Sequence, residues 1–267
     1  MRNPFGLERP LVMGVLNVTP DSFSDGGEWF ETERAIMRGH EMIAEGADVV
    51  DVGGESTRPG AAPVALEEEL RRVVPVVEAL AEEVRVSVDT TKEEVADAAV
   101  RAGATLVNDV SATLWPVAAS HGVGWVAMHR RGTPETMQED PRYDDVVVEV
   151  ATALAERAAT AAAAGVEEVW IDPGIGFGKT LDHNLSLLAS LDVLVSLGYP
   201  VVVGTSRKSF LGALDRRPDG APAPVGERLA GSVATATWAM LQGAQMVRVH
   251  DVAPTVQAAA LVSMGSA

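Results

Sequence analysis

Polar side chains of three chemical types follow short apolar segments at four points of the sequence. They are Asp89, Asn108, Asp172 and Lys208, which supply two carboxylates, an amide and an amine. Two carboxylates can accept paired hydrogen bonds from an amidine-like N–H edge, while an amide and an amine contact the other heteroatoms of a planar ring. Together, the four side chains predict a site for a nitrogen-rich heterocycle. Singly, each acid or amide is explained equally well by a helix cap or a turn, and the group by structural ion pairing.

A second group of side chains is suited to an anion. The segment Ser206–Ser209 holds an arginine and a lysine between two serines, and Arg248 and His250 follow a later apolar segment. Basic side chains and backbone N–H groups bind phosphate, so this group predicts a pyrophosphate site. Asn17 offers the oxygen donor that Mg²⁺ prefers beside phosphates. For His250 by itself, a hydrogen-bonding role in the protein interior is the simpler interpretation.

A glycine-rich segment lies between these groups. The segment Gly174–Lys179 contains three glycines but has neither the P-loop spacing nor the dinucleotide-binding spacing. We therefore expect the glycines to allow close approach of the backbone to its surroundings. Phe177, in the middle of the segment, either offers a ring face to an aromatic ligand or packs under its own loop.

These residues must be positioned by a repeated structural unit. A short segment rich in valine, isoleucine and leucine, followed by a longer alanine-rich amphipathic segment, recurs along the chain, which is typical of βα units. Strands are predicted at Leu11–Leu16, Ala47–Val52, Arg85–Val88, Thr105–Val107, Gly124–Met128, Glu168–Ile171, Pro200–Val203 and Gln245–Val249. Eight such units favour a closed (β/α)8 barrel of parallel strands, with its active site at their carboxyl ends. We expect a single domain over residues 1–267.

The helices of these units show recognisable ends. They are predicted at Glu33–Ala44, Leu66–Ala81, Lys92–Ala102, Tyr143–Ala164, Leu185–Leu197, Gly226–Gln242 and Pro254–Met264. Several of them end at a glycine just before the next strand, where a positive φ terminates a helix. Residues 108–123 leave room for only a short helix.

Composition excludes several classes of function. The 267-residue chain has a formal net charge of −17 and no cysteine. The negative charge argues against a nucleic-acid surface, and the lack of cysteine excludes disulfides and thiolate catalysis. Because the start of the chain is charged and its first apolar run is short, neither a signal peptide nor a membrane span is expected. The expected location is the cytoplasm.

Seven motifs, in one order along the chain, resemble those of the dihydropteroate synthases, pterin-binding enzymes of folate biosynthesis. The motifs begin at Met13, Asp51, Val88, Val107, Asp172, Ser206 and Arg248, and the resemblance extends over 13–252. It implies a transferase that joins a hydroxymethyl-dihydropterin diphosphate to 4-aminobenzoate and releases pyrophosphate. It also implies Mg²⁺ as cofactor, a homodimer, and inhibition by sulfonamides, which resemble the second substrate.

The resemblance also implies roles for individual residues. The pterin would contact Asp89, Asn108, Met128, Asp172 and Lys208. The pyrophosphate would contact Asn17, Thr57, Arg58, Arg248 and His250, with Asn17 as the metal ligand. The 4-aminobenzoate would contact Thr57, Arg58, Pro59, Phe177, Lys208 and Ser209. The catalytic residues would be Asp89, Lys208, Arg248 and His250.

A dissociative substitution is the expected mechanism. A methylene carbon attached to a pterin can share positive charge with the ring, so Mg²⁺-bound pyrophosphate can leave before the neutral arylamine attacks.

Two other functions are compatible with part of the pattern. A methyltransferase barrel that binds methyltetrahydrofolate would use a similar Asp/Asn arrangement but leaves the anion group unexplained. A pterin-binding paralogue without catalytic activity is the other alternative.

Overall fold

The structure of the protein is a computed structural model that describes residues 9–19, 28–56, 63–133, 136–217 and 219–264, with residues 28–31 by their backbone alone. The strands are β1 (Leu11–Asn17), β2 (Val49–Gly53), β3 (Arg85–Asp89), β4 (Leu106–Asp109), β5 (Gly124–Met128), β6 (Val169–Asp172), β7 (Val202–Val203) and β8 (Met246–Val249). The helices are α1 (Glu28–Ala44), α2 (Leu66–Leu80), α3 (Glu93–Arg101), α4 (Trp115–His121), α5 (Val146–Ala163), α6 (Leu181–Ala189), α7 (Leu191–Val195), α8 (Ser209–Leu214), α9 (Leu229–Leu241) and α10 (Val252–Met264).

The strands form one parallel sheet in the order β6-β5-β4-β3-β2-β1-β8-β7. The two end strands of this order meet through a parallel bridge between Ile171 and Val201, and Ile171 N donates to Pro200 O over 2.9 Å. The sheet therefore curls into a nearly closed barrel with helices outside it. The predicted (β/α)8 barrel is confirmed, and each strand lies within two residues of its expected bounds.

The inside of the barrel is filled by one apolar layer near the amino ends of the strands. Its members are Met13, Val49, Leu106, Val126, Trp170, Val202 and Met246. Side chains on a strand alternate between its two faces, so the next inward position lies two residues further along. Those positions are Val15, Asp51, Asn108, Met128, Asp172, Gly204 and Arg248. The alternation that fills the core therefore also directs polar side chains toward the carboxyl ends of the strands.

A larger apolar core lies between the barrel and its helices. It is built from the outward strand faces and from buried helix residues such as Val76 and Leu154. Burying a side chain of this size contributes about 1.5–3 kcal/mol, so this layer holds the helices against the barrel. No helix in the described part of the chain is long and apolar enough to cross a bilayer.

Some helix bounds differ from the predictions. The predicted helix Leu185–Leu197 is wrong, because Ser190 (φ −123°, ψ 34°) leaves the helical conformation and separates α6 from α7. Helix α6 also starts four residues earlier than expected, where Thr180 and His183 form a capping box. The helix predicted from Gly226 begins instead at Leu229, after a short 3₁₀ turn. Helix α8 was not predicted, because its six residues are too few to show a period.

The fourth βα unit is short, as expected. Helix α4 has seven residues, and Ala112 before it has a φ of 55°. This left-handed conformation costs a residue with a Cβ roughly 1–2 kcal/mol. Ala112 is buried, so its methyl group offsets part of that cost by packing.

Ala112→Gly should therefore stabilise the protein. Relief of the left-handed strain exceeds the lost methyl burial, and we expect the free energy of unfolding to rise by about 0.5–1 kcal/mol. Chemical denaturation at equilibrium measures this change. Ala118→Gly, at a buried position of helix α4, is the matched control and should lower stability by about 1 kcal/mol. A loss of stability in Ala112→Gly would contradict the strain argument.

Candidate active site

Arg248 on β8 lies between two buried carboxylates. Its Nε donates to Asp51 Oδ2 and its Nη2 to Asp89 Oδ2, both over 2.6 Å. Asn108 Nδ2 donates to the same oxygen of Asp51 over 2.9 Å. Burial lowers the pKa of Arg248, but the two carboxylates outweigh burial and raise the pKa above its ordinary value. The guanidinium is thus charged and held in place at the centre of the barrel.

Two carboxylate oxygens of this network have no partner. Asp51 Oδ1 and Asp89 Oδ1 are buried and have no hydrogen-bond partner within the described ranges. A buried acceptor without a partner costs about 1–3 kcal/mol, so a ligand whose N–H group reaches Asp89 would gain from pairing with its free oxygen. Burial raises the pKa of Asp89 to about 7, although Arg248 opposes the rise. Pairing with N–H donors would favour its charged form.

Lys208 connects the acidic network to the glycine-rich segment. Its Nζ donates to the carbonyl oxygen of Ile175 and lies 4.7 Å from the centre of the Phe177 ring. Burial lowers the pKa of Lys208 to about 8, and the charge of Asp172 opposes this shift. Burial likewise raises the pKa of Asp172, against the charge of Lys208. Each of these two charges therefore favours the ionised form of the other, against the effect of burial.

The anion-binding candidates lie beside this region. The backbone N–H of His250 donates to Ser206 Oγ over 3.1 Å, and His250 Nδ1 lies 3.0 Å from the same oxygen. Both residues line a cavity of about 630 Å³ at the carboxyl ends of the strands. Other predicted site residues lining it are Asn17, Asp89, Phe177, Lys208, Ser209 and Arg248. Asn108, Met128 and Asp172 are buried at the carboxyl ends of neighbouring strands.

The structure therefore brings together most of the predicted site. Phe177 lies in the cavity wall, half-buried, rather than under its own loop. The glycines do allow close approach: a Cβ on Gly174 would lie 1.9 Å from His129 O. Arg207 lines the cavity too, but Asp251 binds its guanidinium over 2.5 and 3.0 Å.

Three predicted residues, Thr57, Arg58 and Pro59, lie outside the described residues. The described residues on either side of their segment are linked, because Glu55 Oε2 accepts from Val64 N over 2.7 Å and from Lys92 Nζ over 2.6 Å.

Asp51 is the central residue that had been given no role. It is fully buried and accepts hydrogen bonds from Arg248 and Asn108. The sequence does mark Asp51: it is the only carboxylate in the apolar strand Val49–Gly53. An unpaired charge in such a strand would be very costly. Such a residue requires a buried partner, and β8 supplies it.

Few side chains within the described ranges are suited to binding a metal ion. Within the described ranges, no group of three or more His, Asp or Glu side chains could hold a metal ion. Asn17 lines the cavity on the β1 side and contributes one amide oxygen. This donor set suits Mg²⁺, which keeps several waters and is held largely by substrate phosphates.

Comparisons with known proteins show the family of the chain. Residues 13–250 match the family described as pterin binding enzyme. The chain is 49% identical to dihydropteroate synthase of Escherichia coli K12 over 265 residues, which is 96% of this chain and 92% of that protein. It is also similar to the Xanthomonas albilineans dihydropteroate synthase solved with 4-aminobenzoic acid (47% identity, TM-score 0.89, covering 97% and 94% of the two chains). The Yersinia pestis enzyme in a sulfonamide drug complex gives 46% identity and a TM-score of 0.88, with 97% and 95% covered.

These matches extend over almost the whole chain. The chain therefore belongs to the pterin binding enzyme family and is a pterin-transferring enzyme of the dihydropteroate synthase kind.

Proposed function

We propose that the protein condenses (7,8-dihydropterin-6-yl)methyl diphosphate with 4-aminobenzoate to give 7,8-dihydropteroate and pyrophosphate. One observation carries the proposal: Asp89 and Lys208 line one cavity together with the anion-binding candidates Ser206, Arg248 and His250. The other acid and the amide, Asp172 and Asn108, are buried at the carboxyl ends of β6 and β4. A flat ring with an attached diphosphate requires both a ring-binding group and an anion-binding group. The relatives solved with 4-aminobenzoic acid and with a sulfonamide support the identity of the second substrate.

The pterin ring is assigned to the acidic side of the cavity. The unpaired oxygen of Asp89 and the carboxylate of Asp172 accept from the ring N–H groups, and Lys208 donates to a ring acceptor. Asn108 directs its N–H₂ group to Asp51, which leaves its carbonyl oxygen for the ring. Met128 supplies an apolar contact at the end of β5.

The diphosphate is assigned to the side of the cavity formed by β8 and β1. Arg248 and His250 bind its oxygens, and Thr57 and Arg58 complete the group. Asn17 would hold Mg²⁺, which when bound neutralises charge on the leaving pyrophosphate. Phe177, Lys208 and Ser209, which line the same cavity, are assigned to 4-aminobenzoate. The resemblance to the family adds Thr57, Arg58 and Pro59 to this group.

A dissociative route follows from the charges. The C–O bond between the methylene carbon and the diphosphate breaks first, and its electron pair leaves with pyrophosphate. Positive charge spreads from the methylene into the ring, where the carboxylate of Asp89 stabilises it. The amine nitrogen of 4-aminobenzoate then forms the C–N bond and releases a proton. Because this amine is neutral at pH 7, no activated protein nucleophile is needed.

Turnover should depend on Asp89 and Lys208. With the pterin diphosphate, 4-aminobenzoate and Mg²⁺ supplied, we expect dihydropteroate to be detected by mass spectrometry. Asp89→Asn and Lys208→Met should each reduce kcat/KM by roughly 10²–10³-fold, because each removes a charge that faces the reacting group.

The matched control is Asp97→Asn on helix α3, whose carboxylate pairs at the surface with Arg101 and His121. Its rate should stay at the wild-type level. Binding of methyltetrahydrofolate without affinity for pyrophosphate would favour the methyltransferase alternative. Pterin binding with no product would favour a paralogue without catalytic activity.

The order of events tests the dissociative route. Rapid mixing of the enzyme with pterin diphosphate and Mg²⁺ should release pyrophosphate before 4-aminobenzoate is added, in an amount up to one per active site. Release that occurs only when 4-aminobenzoate is present would exclude the stepwise mechanism.

We also propose a homodimer formed through α9 and α10. These neighbouring helices carry no Asp, Glu, Lys or Arg, although such residues make up 22% of the chain. Their outward faces expose large apolar side chains: Trp238, Leu241, Leu261 and Met264. Large exposed apolar side chains on two neighbouring helices are typical of a subunit interface, and a second copy would cover them with the same surface.

Charge placed on this surface should separate the subunits. We expect the wild-type protein to have twice the 28.0 kDa chain mass in analytical ultracentrifugation, and Leu241→Glu to shift it toward the monomer. Val148→Glu, at an exposed apolar position on helix α5, should leave the mass unchanged. A wild-type monomer at micromolar concentration would contradict the proposal.

A further inference from the structure

Residues 173–179, here called the glycine loop, connect β6 to α6 without a regular backbone hydrogen-bond ladder. Gly174, Gly176 and Gly178 have φ values of +64°, +84° and +64°. A Cβ on Gly178 would lie 2.3 Å from Arg131 O, so this part of the loop also runs tightly against the segment after β5. Glycines have the largest conformational freedom to lose. The conformation of this loop must therefore be imposed by its surroundings.

Side chains hold the glycine loop through hydrogen bonds to its carbonyl oxygens. Each carbonyl oxygen of residues 174–178 accepts a hydrogen bond from a side chain of another residue. Lys179 donates to Gly174 O over 3.0 Å and to Phe177 O over 3.1 Å. The other three donors are Lys208 for residue 175, Gln138 for residue 176 and Tyr143 for residue 178.

Lys179 differs from the other donors in its burial and its reach. Its side chain is only 3% exposed. Besides the two loop carbonyls, Lys179 Nζ donates to His129 O over 3.3 Å and lies 3.1 Å from His129 Nδ1. One amine thus ties two points of the glycine loop to the end of β5. A buried amine with this many acceptors is strongly oriented.

The conformation of the glycine loop, which Lys179 stabilises, determines which groups of the loop lie beside Lys208 in the cavity. The Phe177 ring and the carbonyl oxygen of Ile175 both lie against Lys208 Nζ. Rotation about the glycine φ angles would displace both groups from the amine. Lys179 itself does not line the cavity, so any effect on the ligand passes through the loop.

We propose that Lys179 is a positioning residue for the second substrate: it holds the glycine loop so that Phe177 and Ile175 stand beside Lys208. This inference rests on the proposed function, in which Phe177 and Lys208 contact 4-aminobenzoate. Because the pterin contacts come mainly from the strands, Lys179 should affect the two substrates unequally.

The first test is Lys179→Met, which keeps length and removes the donor. We expect the KM for 4-aminobenzoate to rise roughly 10–100-fold, as for other residues that orient a ligand-binding group. The KM for the pterin diphosphate should stay within about threefold of wild type, well below that effect. In a double-mutant cycle with Phe177→Leu, the two effects should combine to less than their product, because Lys179 acts through Phe177.

The second test is chemical rescue of Lys179→Ala. Propylammonium, which matches the three carbons and the amine that are removed, should restore a low KM for 4-aminobenzoate, while 1-propanol, of similar size but without the amine, should not. If Lys179→Met does not fold, Lys179→Gln, which retains a donor, is used for the KM measurements. Equal increases in both KM values, an unchanged KM for 4-aminobenzoate, or identical behaviour with propylammonium and 1-propanol would overturn the inference. Absence of dihydropteroate from the wild-type enzyme would instead overturn the proposed function.

Discussion

The alternation of side chains along each strand decides what meets at the centre of this barrel. A residue such as Met246 on β8 packs into the apolar layer, and Arg248, two residues later, must enter the same interior nearer the carboxyl end. The same spacing relates Val49 to Asp51 and Leu106 to Asn108. A shift of one residue in any strand would exchange an apolar contact for a polar one on the helix-packed face. The register of the strands therefore determines both the packing of the core and the positions of the polar side chains in the site.

The charges at the carboxyl ends of the strands are compatible with folding because they are matched. Asp51 is completely buried, and a lone carboxylate there would be strongly unfavourable. Arg248 and Asn108 satisfy one of its oxygens, and Arg248 also reaches Asp89. Buried ion pairs add little net stability. Here the ion pairs instead specify the conformation of the site. The guanidinium of Arg248 is held in one position by its two partners, Asp51 on β2 and Asp89 on β3.

The sequence was most informative where a strong period or a special backbone conformation was involved. The eight strands and the barrel followed from repetition, and the glycine-rich segment correctly indicated close backbone contact. Of the polar residues that follow the strands, Asn17, Asp89, Lys208, Arg248 and His250 line the cavity. Other features depend on distant residues. The pairing of Arg248 with Asp51 joins positions 197 residues apart. The break between α6 and α7 at Ser190 lies inside a continuous amphipathic pattern that predicts one helix.

The unpaired oxygen of Asp89, a residue that lines the cavity, has a consequence for selectivity among flat heterocycles. A ring of suitable size that turns an acceptor toward Asp89 would leave this oxygen without a donor and add repulsion between lone pairs. Sites built around hydrogen bonds can reject analogues that lack the matching group by about 10⁴–10⁵, far more than a difference of one methylene in size allows. Discrimination here thus comes from the penalty for the wrong edge: a ring such as adenine, which presents an unprotonated ring nitrogen beside its amino group, is disfavoured, whereas guanine-like rings carry matching N–H donors.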